Sequence, residues 1–351
     1  MFRQRANPFL KKILMSEYFV LYISVIYFLA LIPFIPKLAS AYNVTNIFSN
    51  MWPLFVIAIG QTFVLIVAGI DLSQSSVVGL TSVVGALIMT TELNPTLFSK
   101  SPLWGSLLSE TGGPLSNNLL AVPVAIVVML IVGAVVGLIN GFFITKFKMA
   151  PFMVTLISQM LFGSLAIYVT TSQNVTHLPA AYNAIGGANL GFVPISFFVA
   201  GIIGILFQLI LTKTRSGKWF YAVGTNAKAA KISGVPTDKV IIWAYIFSGL
   251  CAAMASVLYS GRLEMGRPTL GEPLLMDIIG ATVIGGTSMF GGKGKVSWTL
   301  FGVLFFTIMA NTLNLLNLSF YTINIVKGSV IMAAALLDVQ RIKLSKQTNL
   351  L

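Results

Sequence analysis

Residues 51–91, MWPLFVIAIGQTFVLIVAGIDLSQSSVVGLTSVVGALIMTT, hold a single charged residue, Asp71, between two long apolar runs. Each run approaches the roughly 20 apolar residues that a helix needs to cross a bilayer. The pattern recurs outward from this stretch, predicting spans at 18–36, 51–70, 73–91, 120–145, 150–170, 192–212, 239–260, 273–288, 296–316 and 322–338. The expected fold class is all-α, a polytopic membrane protein of about ten transmembrane helices. Composition agrees: 56% of the 351 residues are hydrophobic and 9% charged, with mean hydropathy +0.90, against about 25% charged in soluble domains. So few charges cannot keep a protein dissolved, which excludes an ordinary soluble enzyme. The predicted layout is a basic N-terminal segment (1–17), one membrane domain (18–340) and a C-terminal tail (341–351), with the longest loops at 91–119, 171–191 and 213–238.

The net charge of +13 does not point to nucleic acid, because the basic residues form short clusters between apolar runs rather than one patch. Counted by alternate loops, 17 of the 22 Lys and Arg fall on one side, including Lys146, Lys213, Lys228, Lys293 and Arg341. Lys37, Lys100, Arg262 and Arg267 fall on the other, and Lys327 lies inside the last span. Positive residues stay cytoplasmic, so both termini are expected inside. Ala39-Ser40-Ala41 resembles a signal-peptide cleavage site, but the preceding apolar run is longer than a usual signal core, and a retained first helix is preferred. Cys251 is the lone cysteine and His177 the lone histidine, which argues against a disulfide, a metal site and any cofactor in this chain.

Three segments carry chemistry. In Ala68-Gly69-Ile70-Asp71-Leu72-Ser73 a carboxylate interrupts apolar sequence, either as the cap of the following helix or as a residue with a direct part in transport. Gly217 to Val235 is basic, yet Ala227 to Ile232 favours a short helix with Gly234 as its stop, suited to docking or to lying against lipid headgroups. Ile284 to Val296 is glycine-rich, but Gly294-Lys295 is followed by Val296 rather than Ser or Thr, so it is no phosphate loop. Gly69, Asp71, Ser73, Gly285, Gly286, Gly291 and Gly292 are therefore expected to form helix breaks and close-packed turns that could gate a pathway. Gln61, Asn140, Thr155, Gln159, Asn311 and Asn314, together with Phe152, are candidates to line that pathway, with interhelical hydrogen bonding or core packing as the competing role. Arg262, Glu264, Arg267 and Glu272 form a mixed-charge outer cluster, and Asp277 and Lys327, inside predicted spans, are expected to pair or to approach a span end.

Four of these motifs together resemble the ribose-type ABC importer permeases. They are Gly-Ile-Asp-Leu-Ser at 69–73, Asn140-Gly141 followed by Ala-Pro-Phe-Met-Val-Thr-Leu at 150–156, Ala-Val-Gly-x-Asn-x-x-Ala-Ala-x-x-Ser-Gly-Val ending at Val235, and Ile-Gly-Gly-Thr-Ser-x-x-Gly-Gly-x-Gly from Ile284. The resemblance covers about residues 50–340 and implies a non-catalytic subunit of the bacterial inner membrane that moves a monosaccharide by alternating access. It implies four kinds of partner: a second permease copy or homologue, cytoplasmic ATPase subunits that bind ATP and Mg, a periplasmic or lipoprotein substrate-binding protein, and the lipid bilayer. By the same resemblance Gly224, Asn226, Lys228, Ala229, Ala230, Ser233 and Gly234 belong to the segment that couples to the ATPase. Three departures stand out: Lys228 where many members carry an acid, Gln74-Ser75 where Val-Gly is usual, and a longer loop at 91–119. The alternative is an ion- or proton-coupled secondary transporter using Asp71. A membrane enzyme lacks any catalytic constellation.

Overall fold

Every predicted span coincides with a helix, but the helices differ in how they meet lipid. The structure, a computed structural model, describes residues 16–348, with side chains as far as Leu336. Most of the predicted N-terminal segment, 1–15, lies outside the described residues, as do 349–351. In chain order the helices are α1 (Phe19–Leu31), α2 (Ala41–Ile66), α3 (Gln74–Met89), the single turn α4 (Pro95–Phe98), α5 (Ala121–Lys146), α6 (Pro151–Thr170) and α7 (Ala180–Gly187). There follow α8 (Ile195–Lys213), α9 (Arg215–Ile232), α10 (Thr237–Leu263), α11 (Leu275–Gly285), α12 (Val296–Leu315) and α13 (Phe320–Thr348). A two-residue hairpin, Asn189–Leu190 with Val193–Pro194, precedes α8.

Among the described residues six helices, α2, α5, α6, α8, α10 and α12, are long and apolar enough to cross a membrane. The expectation of about ten crossings is thus met on length and composition by six among the described residues, and the others are not confirmed as crossings. Of the other predicted spans, α1, α3 and α11 have 13, 16 and 11 residues, and the apolar part of α13 is Phe320–Leu336. α3 is buried along almost its whole length, so it is solvated by neighbouring helices rather than by lipid. α2 is the axis of the bundle. It begins ten residues before its apolar run, at the Ser40 cap, whose side chain accepts from the Asn43 amide, and 89% of its most apolar window is buried.

Close helix packing rests on small residues, as expected where no hydrophobic force draws helices together in lipid. Gly133, Gly137 and Gly141 form a ridge at four-residue spacing on α5, seated against α10. A Cβ at Gly137 would lie 2.2 Å from the Tyr245 carbonyl oxygen, and one at Gly133 2.4 Å from that of Gly249. An aromatic knot of Phe63, Phe207, Phe220 and Phe247 ties α2, α8, α9 and α10 together, with edge-to-face centroid separations of 5.2–5.3 Å around Phe63. The long loop at 91–119 folds back on the bundle: Gly113 and Leu115 donate to the carbonyls of Thr90 and Ile88, and Leu93, Phe98 and Leu108 pack on α3 and α5.

The helix directions define two ends. Residues 66–71, 146–151, 213–237 and 285–295 gather at one, as does Glu17, whose carboxylate pairs with Lys295 at 2.6 Å. The Lys295 ammonium holds the Glu17 carboxyl below the usual carboxylate range. The opposite end carries 37–43, 90–120, 171–194, 264–274 and 316–319. The basic clusters assigned to one side from sequence lie at the Glu17 end wherever they fall among the described residues.

Candidate functional site

All three glycine-bearing segments meet at the Glu17 end. α2 stops where Ala68 adopts a left-handed conformation (φ 61°), and the amides of Ala68 and Gly69 turn back to the carbonyls of Leu65 and Val64. This leaves the Ile66 carbonyl free to accept from the Gly292 amide at 2.9 Å, which seats the loop between α11 and α12 on the end of α2. α9 comes in above. The Tyr221 hydroxyl donates to the Gly294 carbonyl at 2.7 Å, and a Cβ at Gly224 would stand 1.7 Å from the Ile66 oxygen. At Gly291, with φ 86°, the Gly224 carbonyl and Ala68 leave no room for a side chain. The backbones of the helix break, the basic loop and the glycine loop are therefore in direct contact.

α9 is two helices joined at Asn226, whose backbone is extended (φ −161°, ψ 99°). The Asn226 side chain accepts from the Ala229 amide at 3.0 Å and so caps a short second helix. That helix ends at Gly234 (φ 82°), where the amides of Gly234 and Val235 return to Lys231 and Ala230. Ala230 is buried, whereas Lys228, Ala229, Ser233 and Gly234 are exposed and Ile232 protrudes with 88% of its surface open. An apolar side chain is thus held out on a capped turn next to Lys228 and Lys231.

Immediately inside lies a buried polar node. Asp71 Oδ1 accepts from the Ser73 amide and hydroxyl at 2.9 and 2.6 Å, and Oδ2 accepts from the Ser248 hydroxyl at 2.6 Å. Asn140 donates to Ser73 Oγ at 2.8 Å and accepts from Ser158. Thr155 and Tyr245 both reach the Ile70 carbonyl, at 3.3 and 3.4 Å. The break between α2 and α3 is thus tied to α5, α6 and α10. Asp71 stands two residues before Ser73, the N-cap of α3, so its bonds to Ser73 close a turn ahead of the helix rather than capping it as weighed from sequence, and the bond to Ser248 reaches across the bundle.

The other candidates are dispersed. Gly285 lets α11 approach α12, since a Cβ there would lie 2.5 Å from the Trp298 carbonyl oxygen, and Gly286 ends α11 at φ 110°. Phe152 is exposed on α6, and Gln159 is half-buried on the same helix. Gln61 is fully buried in α2 with neither amide atom partnered. Asn311 and Asn314 lie at the opposite end, lining a cavity. Asp277 and Lys327 form the expected pair, at 2.7 Å. Sequence reasoning passed over Ser158, Tyr245 and Ser248, single hydroxyls on apolar helices that only the fold brings to Asp71. It also passed over the α5 glycine ridge, whose four-residue spacing was the available signal. Among the described residues no group of His, Cys, Asp or Glu could hold a metal.

A helical bundle in which six helices among the described residues are long and apolar enough to cross a membrane has the build of a multi-pass membrane protein. The chain belongs to the family described as branched-chain amino acid transport system / permease component, which it matches over residues 43–336. It is 31% identical over 322 residues to the ribose import permease protein of Haemophilus influenzae, covering 90% of this chain and 91% of that protein. Identity to the ribose import permease protein of Bacillus subtilis is 33% over 313 residues, covering 86% of each. The D-allose transport system permease protein of Escherichia coli is 28% identical over 296 residues, covering 84% of this chain and 83% of that protein. No solved structure matches the chain.

Proposed function

We propose that this chain is the membrane subunit of an ATP-driven, binding-protein-dependent importer that carries a monosaccharide or related polar solute across a bacterial inner membrane. The relatives named for ribose and allose support the sugar class, and the secondary-transporter alternative finds no support among them. ATP and Mg belong to a partner ATPase. The exposed turn at 227–234, with Ile232 as its apolar contact, is the surface that partner engages. The Glu17 end is then cytoplasmic, in keeping with its basic clusters, and ten helices are taken to reach across or deep into the membrane. A second permease copy or homologue covers α6, whose Phe152, Met153, Ile157, Met160 and Leu161 are exposed, and Phe152 and Gln159 then stand at or beside the joint pathway.

One observation carries the mechanism: the backbone contact of Gly224 with Ile66 and Gly292. A push on the 227–234 turn reaches the end of α2 with no flexible side chain between them. Through Asp71 it reaches Ser248 on α10 and Asn140 on α5. The push does work only if the ATPase binds one arrangement better than the other. The direct test is uptake of labelled monosaccharides into proteoliposomes holding ATP, with the ATPase and binding protein present. Gly234→Val changes a left-handed position in the turn and should abolish uptake while the protein still folds. Unchanged uptake in Gly234→Val, alongside a wild-type protein that accumulates sugar, would refute the coupling role of this turn.

A further inference from the structure

The connection between α10 and α11, residues 264–274, begins at the end opposite Glu17 but does not stay there. Gly266 exchanges two backbone hydrogen bonds of 2.8 Å with Val175 at that end. The chain then runs back along α3 as a strap. The Ser82 hydroxyl donates to the Arg267 carbonyl at 3.0 Å and accepts from the Arg267 amide at 3.2 Å. A Cβ at Gly79 would lie 2.2 Å from the Pro268 carbonyl oxygen, and one at Gly271 1.9 Å from that of Ser75. From Ser82 to Ser75 the strap thus follows α3 for about 10 Å at 1.5 Å per residue. α3 itself starts deep in the bundle. Gln74 donates to the Ile57 carbonyl at 3.2 Å, and Ile57 stands about 13 Å along α2 from the helix end at Ile66. The neighbouring Asp71 accepts from Ser248, about 16 Å along α10 from Thr237. Gly271 and Glu272 therefore lie near the middle of a hydrocarbon core about 30 Å thick. The strap ends in a 3₁₀ turn, Glu272–Leu274, which leaves Glu272 exposed. Among the described residues its carboxylate takes part in no hydrogen bond or ion pair.

A carboxylate at this depth faces a cation or water, because hydrocarbon cannot solvate it. A second copy of this chain would bring no free cation. Among the described residues the lysines and arginines gather at the two ends, apart from Lys327, which Asp277 holds at 2.7 Å. Water has a route. On α6, across from the strap, a Cβ at Gly163 would lie 3.7 Å from Ser76 of α3, and the half-buried Gln159 stands one turn away on the same face. Between α6 and the strap, toward the end opposite Glu17, opens a cavity of about 430 Å³ lined by Ile167, Asn174, Arg267 and Thr269 among others. We infer that the strap at 266–272 forms one wall of a water-filled groove reaching mid-membrane, and that Glu272 selects by charge what passes along it. A carboxylate accepts hydrogen bonds from hydroxyls and ammonium groups and repels anions. Neutral or cationic solutes are therefore admitted, and phosphorylated or carboxylated ones are turned away. That the groove carries cargo rests on the import reading above; that it holds water and a selecting charge does not.

The test places single reporter thiols in the full chain, assembled with its ATPase in nanodiscs; the native Cys251 is buried. Glu272→Cys reports the position itself. Met276→Cys, 52% exposed and one turn further along, reports the field of an intact Glu272. Ile202→Cys, in the middle of α8 and 70% exposed, is the lipid-facing control. Labelling is timed with a cationic trimethylammonium and an anionic sulfonate methanethiosulfonate, both confined to water. Glu272→Cys and Met276→Cys should label, and Ile202→Cys should stay unlabelled over the same time. Residues one turn apart are about 6 Å from each other. At that distance in water a unit charge changes each rate about threefold, so adding Glu272→Gln should lower the ratio of cationic to anionic labelling at Met276→Cys about tenfold. Labelling of Glu272→Cys as slow as that of Ile202→Cys, or a ratio that Glu272→Gln leaves unchanged, would overturn the assignment. ATP-driven sugar uptake by the unmodified importer is measured in parallel. Uptake with Glu272→Cys unlabelled strikes this inference and spares the import reading; labelling with the charge effect but without uptake does the reverse.

Discussion

Gly224 lacks a side chain because no atom fits: a Cβ would lie 1.7 Å from the Ile66 oxygen and 2.6 Å from the Gly292 nitrogen. In an exposed helix, Ala in place of Gly would gain about 1 kcal/mol. Here the obstacle is backbone, which cannot swing aside. We therefore expect Gly224→Ala to destabilise by about 1–3 kcal/mol, the range for overpacking, and to lower uptake more than it lowers the amount of folded protein. Thermal unfolding in detergent beside uptake per folded molecule measures both. Asp71 permits a sharper distinction. Asp71→Asn keeps an acceptor for Ser73 and turns an N–H₂ toward Ser248, whose hydroxyl can rotate to accept. ATP-driven uptake should survive in this variant. Asp71→Ala strands Ser73 and Ser248 in a buried site at about 1–3 kcal/mol for each unsatisfied group, so folding should suffer visibly. Loss of uptake in Asp71→Asn with folding intact would instead mark the carboxylate as a proton or ion carrier.

Among the elements, the α5–α10 pair has the least room for change. A Leu at Gly137 would meet the Tyr245 backbone and push apart the two helices that hold Asn140 and Ser248 around Asp71. Gly137→Leu should prevent stable folding, read as loss of the monodisperse species in size-exclusion chromatography, whereas the surface change Leu138→Ala one residue on should not. The same element shows what sequence can convey. Its apolar run was plain at 120–145, close to the observed Ala121–Lys146. α2 was read ten residues short at its start, because Asn43, Asn46 and Asn50 look unsuited to a membrane helix when lipid is taken as the only solvent. They face a cavity and one another, so the apolar window undercounts them. The short helix from Ala227 to Ile232 and its stop at Gly234 were legible, since capping is local chemistry. The Asp71 node was not: its Ser248 is 177 residues distant in the chain, and an isolated serine on an apolar helix carries no pattern.

For the whole molecule, the two ends differ in kind. At one end backbone meets backbone around Gly224, Ile66 and Gly292, which suits transmission of force. At the other, Asn43, Asn46, Asn50 and Asn311 line an open cavity. α2 and α12 run between them, and the stretch of α2 from Asn46 to Ile66 spans roughly 30 Å at 1.5 Å per residue. Such a separation suits the proposed importer, whose energy and cargo would enter from opposite sides, and α6 exposes the apolar surface on which we propose that a second permease sits. The claim on which this rests is that transport draws on ATP held by another protein through the turn at 227–234. The measurement that tests it most directly is monosaccharide uptake by proteoliposomes carrying this chain with its ATPase and binding protein, with and without enclosed ATP and with a proton gradient supplied alone. The account predicts accumulation that needs enclosed ATP and both partners and is lost in Gly234→Val. Accumulation by the chain alone, driven by the proton gradient without ATP, would contradict it.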